Sequence, residues 1–165
     1  SMSQAIIGVD QISPEDFLFY FNEGKIVVDY TDSVNDILNQ LGEPADKKVD
    51  DYEHFSHVRL QYGFLEIGYS FFNEASLEKI LGSLATSDPG MVTNRGISVG
   101  DNIGDVIFKY GEPYFQGGPA EERLLVYSCY WVPEYRTART GIRLELNFVL
   151  NEDGAITSIH ASYSQ

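Results

Sequence analysis

The sequence predicts an α+β fold: a tandem repeat of a short helix plus antiparallel strands, making one continuous, mostly antiparallel sheet with the helices packed on one face. Three observations predict it. The phrase VVDYTDSVNDILNQLGEP (27–44) returns as GISVGDNIGDVIFKYGEP (96–113), so that Gly42-Glu43-Pro44 falls on Gly111-Glu112-Pro113, 69 positions on. The run IRLELNFVL (142–150) alternates apolar and polar side chains, and after the turn NEDG (151–154) the chain returns as AITSIHASY (155–163). LEIGYSF (65–71) carries the same alternation in the first half. A period of two marks a half-buried strand.

Each copy of the phrase encodes a helix, near 32–41 and near 101–110. Val34, Ile37, Leu38 and Leu41 fall on Ile103, Val106, Ile107 and Tyr110, at the i, i+3, i+4, i+7 spacing of one helix face. Ser33 with Asp36, and Asn102 with Asp105, supply an N-cap and an acid at the third position, a variant of the capping box. A glycine just past the last apolar residue, with proline two residues later, supplies the stop. Helices this short are marginal in water, so each apolar stripe must dock on something. Asp29, Asp32 and Asp101 precede the helices and are expected to cap them by facing their N-terminal amides.

The strands fill the rest. Leu65, Ile67, Tyr69 and Phe71 land on Leu144, Leu146, Phe148 and Leu150 at a shift of 79, which preserves the inside-outside pattern, and LEKILGSLA (77–85) then mirrors the return strand. HVRLQY (57–62) matches VYSCYW (126–131) at a shift of 69, which places an insertion of ten residues, VPEYRTARTG (132–141), in the second half. FLFYF (17–21) and IVVDY (26–30) around NEGK (22–25) read as an opening hairpin. The organisation is therefore an N-terminal segment, 1–26, with part of a hairpin, repeat 1 over 27–90 and repeat 2 over 91–165, in one compact unit of seven or eight strands. The sheet face away from the helices is expected to be polar and open to water.

Composition narrows the function. The 165 residues carry a formal charge of −14, and residues 1–90 hold 5 cationic against 16 anionic side chains. Such a surface repels a phosphate backbone, so no nucleic-acid partner is expected. No apolar run reaches the ~20 residues of a membrane span, and no intact signal peptide opens the chain. Ser1-Met2 reads as a remnant of cloning, which leaves room for a native leader, with a lipid anchor, trimmed away. Cys129 is the single cysteine and sits in the apolar run LLVYSCYWV, where it reads as a small buried hydrophobe.

No reaction announces itself. His54 and His57 in DDYEHFSHV would share a metal on a helix, but the segment leads into a strand, where residues three apart face opposite ways. It reads as a solvated acidic loop. NEDG lacks the further ligands of a calcium loop, YFQGGPAEE lacks the lysine of a phosphate loop, and no Gly-x-Ser-x-Gly is present. His160 reads as a strand histidine. No cofactor and no metal are expected.

The phrase Val99-Gly100-Asp101-Asn102 through Gly111-Glu112-Pro113 resembles the tandem repeats of the β-lactamase inhibitory protein-like superfamily and is similar to the small outer-membrane lipoprotein domains of the SmpA/OmlA type. In the first copy Asp29-Tyr30 stands where Val-Gly is expected. The resemblance covers residues 27–165 and implies a non-enzymatic, envelope-associated or secreted binding module; the cytoplasm stays open as a location. The inhibitory proteins carry disulfides and this chain has one cysteine, so no partner transfers with the resemblance.

The residues themselves point the same way. Tyr130, Trp131 and Tyr135 lie on or beside the insertion, with Arg136, Arg139 and Arg143 around it, and tyrosine, tryptophan and arginine are enriched where interfaces hold their binding energy. These six residues are the expected contact site for a protein partner or for self-association. The alternative is a small-molecule or cell-wall-associated receptor or enzyme with a cleft between the repeats.

Overall fold

The computed structural model describes residues 12–133 and 141–164. The described residues form two helices and eleven strands in two antiparallel sheets. A 3-10 turn (Pro14–Phe17) leads into strands β1 (Leu18–Phe21) and β2 (Ile26–Asp29), and helix α1 (Val34–Leu41) follows. Strands β3 (Asp46–Asp51), β4 (Ser56–Tyr62), β5 (Leu65–Phe71) and β6 (Ser83–Thr86) run up and down, with a 3-10 turn (Glu74–Glu78) before β6. After β7 (Val92–Thr93) come α2 (Ile103–Tyr110) and the strands β8 (Phe115–Gly117), β9 (Arg123–Trp131), β10 (Ile142–Leu150) and β11 (Ile156–Ser164).

The large sheet has the order β3-β4-β5-β6-β11-β10-β9-β8. Each half is thus a helix followed by four strands in a meander, and the halves meet where β6 pairs antiparallel with β11. The opening hairpin does not join this sheet: β1 pairs with β2 and with β7 to make a separate sheet of three strands. Phe19, Phe21 and Val28 of that small sheet are fully buried in the common core, with Phe21 against Phe64 and Phe17 against Tyr163.

Both helices begin and end as their sequences predict. Asp36 donates its backbone N–H to Ser33 Oγ at 3.1 Å while Ser33 N–H bonds Asp36 Oδ2 at 2.8 Å. Asn102 and Asp105 repeat the exchange at 3.0 Å in both directions. Gly42 and Gly111 end the helices at φ 76° and 78°, the left-handed region open to glycine, and each returns its N–H to the fourth residue back at 2.8 Å. The aspartates ahead of the helices act one step earlier than expected. Asp32 accepts from Asp29 N–H and Asp101 from Ser98 N–H, so they close the preceding turns rather than cap the helices.

Ile142, Leu144, Leu146, Phe148 and Leu150 are buried and the residues between them half-buried, as the alternation of β10 predicts. Cys129 is buried. The register differs from the one expected from sliding the sequence. Ala45 donates to Gln61 O and Tyr114 to Val126 O, both at 2.8 Å, which makes Gln61 and Val126 equivalent at a shift of 65 rather than 69. Gln61 pairs with Glu66 and Val126 with Asn147, so β5 maps onto β10 at 81 rather than 79. Both corrections are even, and a strand pattern of period two cannot detect them.

The second half is extended by more than the expected ten residues. Two residues separate Tyr62 from its partner Leu65; eighteen separate Tyr127 from Leu146. Four further pairs, Ser128↔Glu145 to Trp131↔Ile142, carry the β9–β10 hairpin outward before its loop begins. Two other segments also differ from expectation. LEKILGSLA is mostly a turn, with a strand only from Ser83 on, and of the acidic run before His54, Asp50 and Asp51 belong to the edge strand β3 while the exposed loop begins at Tyr52.

Candidate functional site

Every second side chain of the large sheet points away from the helices. On that open face the pairings line up Gln61, Glu66, Ala85, His160, Asn147 and Val126 in one row across six strands. From this row β4 runs toward Ser56 and β9 toward Trp131 in the same direction, because the intervening pairs Gly68↔Ser83 and Ser162↔Glu145 step together. The two hairpins that differ between the halves, β3–β4 in the first and β9–β10 in the second, therefore project from the same end of the sheet. Three strands lie between them, which puts β4 and β10 ~19 Å apart at ordinary strand spacing.

On the second hairpin, Tyr130 and Arg143 face each other as a cross-strand pair. Tyr130 is 64% exposed and Tyr114 61%. Arg143 Nε bonds Glu145 Oε2 at 3.1 Å, and its guanidinium carbon lies 5.3 Å from the centre of the Tyr114 ring. The Tyr114 hydroxyl first, then Glu145 and Tyr130, hold the Arg143 pKa above its ordinary value. Phe115, 52% exposed on the edge strand, is on the same face farther from the hairpin end, across from Val126. The result is a fixed planar cation between two exposed aromatic rings, Tyr114 and Tyr130.

Trp131 is placed otherwise. Its ring meets Tyr30, just ahead of α1, edge to face at 4.9 Å, so it ties the extended hairpin to the first half and packs on the core. Tyr135, Arg136 and Arg139 lie outside the described residues.

Sequence reasoning missed two groupings on this face. At the tip of the β3–β4 hairpin Tyr52 and Phe55 stack at 5.0 Å, and Phe55 meets Phe72 at 5.8 Å. The signal was present in DDYEHF, whose acids drew notice ahead of its rings. At the opposite end of the face, a depression of about 700 Å³ is lined by both halves, among others by Gln61, Glu66, Asp88, Ser158 and His160. Ser158 Oγ lies 3.1 Å from His160 Nε2, and Gln61 donates to Glu66 at 2.9 Å. Burial lowers the His160 pKa, and Glu66 opposes the shift.

Among the described residues no group of three His, Cys, Asp or Glu side chains is gathered for a metal, and no helix is long and apolar enough to cross a membrane. No protein-family model matches the chain, and no curated protein matches it. Among solved structures it is similar to a DUF4309 family protein, YjgB, from Bacillus subtilis, with 16% identity, a TM-score of 0.41 and coverage of 79% of this chain and 77% of that one. It is similar to an extracellular protein containing an SCP domain from Bacillus anthracis, with 8% identity and a TM-score of 0.44. There 86% of this chain spans 49% of the other, about half its length. It is also similar to a candidate β-lactamase inhibitor protein from Streptococcus mutans, with 12% identity, a TM-score of 0.30 and 86% coverage of each. At these identities and TM-scores the likenesses carry no functional information.

Proposed function

We propose that the protein is a non-enzymatic binding module that engages a protein partner through the open face of its eight-stranded sheet, with Tyr130 and Arg143 at the contact. One observation carries this reading. Of ten large hydrophobic side chains exposed among the described residues, six, namely Tyr52, Phe55, Phe72, Tyr114, Phe115 and Tyr130, sit on this face or its projecting end. Exposed apolar surface grouped on one face marks an interaction site, whereas scattered single residues do not. The envelope or secreted location implied by the family resemblance is the compartment in which the partner is to be sought.

A second reading rests on the depression between the halves. Glu66, His160, Ser158 and Gln61 line it with donors and acceptors, which fits a small polar ligand. The aromatic distribution favours the protein partner.

The experiment is capture on the immobilised full chain, with variants chosen by face. Tyr130→Ala and Arg143→Ala should each weaken retention of the partner, while Phe108→Ala, the most exposed large hydrophobic side chain among the described residues and one on helix α2, should leave it unchanged. Retention that ignores the first two and follows Phe108 overturns the reading.

A further inference from the structure

We infer that the tip of the β3–β4 hairpin is a docking site for a basic segment of the protein partner, a stretch of chain carrying lysine or arginine side chains. This rests on the open face as the binding surface and adds the chemistry of what it binds.

The tip offers ring faces. Tyr52 is 58% exposed and Phe72 57%, although Tyr52 stacks on Phe55 and Phe72 meets it at a tilt. Three aromatic side chains held together at a surface, rather than folded into the core, present a platform that a cation attracts through the negative ring face. The molecule already uses it so: Lys79 Nζ lies 5.7 Å from the centre of the Phe72 ring.

Carboxylates outnumber cations around the platform, which also holds Arg59 and Lys79. Asp50, Asp51 and Glu53 precede or enter the tip, and Glu74 and Glu78 follow Phe72. Arg59 meets Asp50 at 3.4 Å and the Ser56 hydroxyl donates to Asp51 at 2.6 Å, which holds both carboxylates in place on the strand that leads into the tip. Glu53 stands out in solvent, its side chain 86% exposed, with the ring of His54 at 3.8 Å. The first 90 residues hold 16 anionic against 5 cationic side chains. Such a field draws a basic segment toward this half before contact. A second copy of the chain would bring the same excess of acid, which opposes self-docking here.

The test uses the full chain and a fluorescent peptide of alternating arginine and glycine, read by anisotropy, against the same peptide with glutamate. The arginine peptide should bind saturably and weaken as salt rises from about 50 to about 300 mM. The pair Tyr52→Ala with Phe72→Ala, and separately Glu53→Lys, should each weaken it by about tenfold or more. Glu53→Lys removes no packing, so it reports on recognition even if the alanine pair loosens the hairpin. Absence of saturable binding, equal binding of the glutamate peptide, indifference to these substitutions, or a dimer that dissociates when they are made would each overturn the inference. Partner capture that still depends on Tyr130 and Arg143 while the peptide fails would sink this inference alone; loss of both would sink the reading beneath it.

Discussion

Tyr127 donates its hydroxyl to the carbonyl oxygen of Gly111 at 2.7 Å, and so a side chain of strand β9 satisfies the glycine that ends helix α2. Tyr62 does the same for Gly42 in the first half, at 2.8 Å. The last carbonyls of a helix have no partner within it, and here the sheet beneath supplies one. Tyr127→Phe should cost ~0.5–1.5 kcal/mol in urea denaturation, the usual net worth of one such bond. Tyr62→Phe should cost less, because Tyr62 is less buried and water can take its place at Gly42. Equal and negligible effects would mean that the helix ends are held by packing alone.

The opposite ends of the helices give a second test. Ser33→Ala and Asn102→Ala each remove an N-cap acceptor and should each cost ~0.5–2 kcal/mol. Ser87→Ala, at an exposed serine, should be nearly silent. Chemical denaturation of the three variants separates the outcomes.

A third concerns the link between the N-terminal segment and the second half. Arg95 grips Asp16 with two bonds, of 2.7 and 2.9 Å, and donates a further one to Lys109 O at 2.8 Å while lying 4.8 Å from the Tyr110 ring centre. Asp16 is 3% exposed and Arg95 keeps about a third of its surface, 30%. Asp16→Asn should therefore cost ~1.5–3 kcal/mol, the range for bonds to charged groups, and not the larger cost of a fully buried pair. Thermal or urea unfolding measures it.

The pH dependence has a definite sign. Burial holds the folded His160 pKa below its ordinary value of 6.5. As pH falls below 6.5 the unfolded chain takes up this proton before the folded one does, so the unfolded state binds more protons and stability drops. Above 6.5 both states are neutral here and the contribution is flat. His160→Gln should remove that part of the slope, with stability measured at several pH values on either side of 6.5. An unchanged slope would mean that Glu66 offsets the burial in full.

Much of the frame was legible because it is written in local chemistry. Ser33 with Asp36, Gly42 with Pro44, and the alternation of 142–150 each state their structure within ten residues. What was illegible is non-local. Register shifts of 65 and 81 keep the same side chains buried as shifts of 69 and 79, so apolar pattern alone cannot choose between them. The three-stranded sheet depends on Phe19 meeting Thr93 across 74 positions, with no signal in either segment that names the other. The candidate site was half legible: Tyr130 and Arg143 stand out by type, but Tyr114 reaches Arg143 only through the β8–β9 and β9–β10 pairings. Trp131 stood out equally and is committed to Tyr30 instead.

On the proposed function, the open face of the sheet is the binding surface. Hydrogen exchange of the full chain, alone and with its captured partner, reads that face directly. Binding should slow exchange at 52–55, 70–72, 114–116, 128–131 and 142–145, while α1, α2 and the three-stranded sheet exchange as before. Protection centred on α2 around Phe108, with the open face unchanged, would contradict the account.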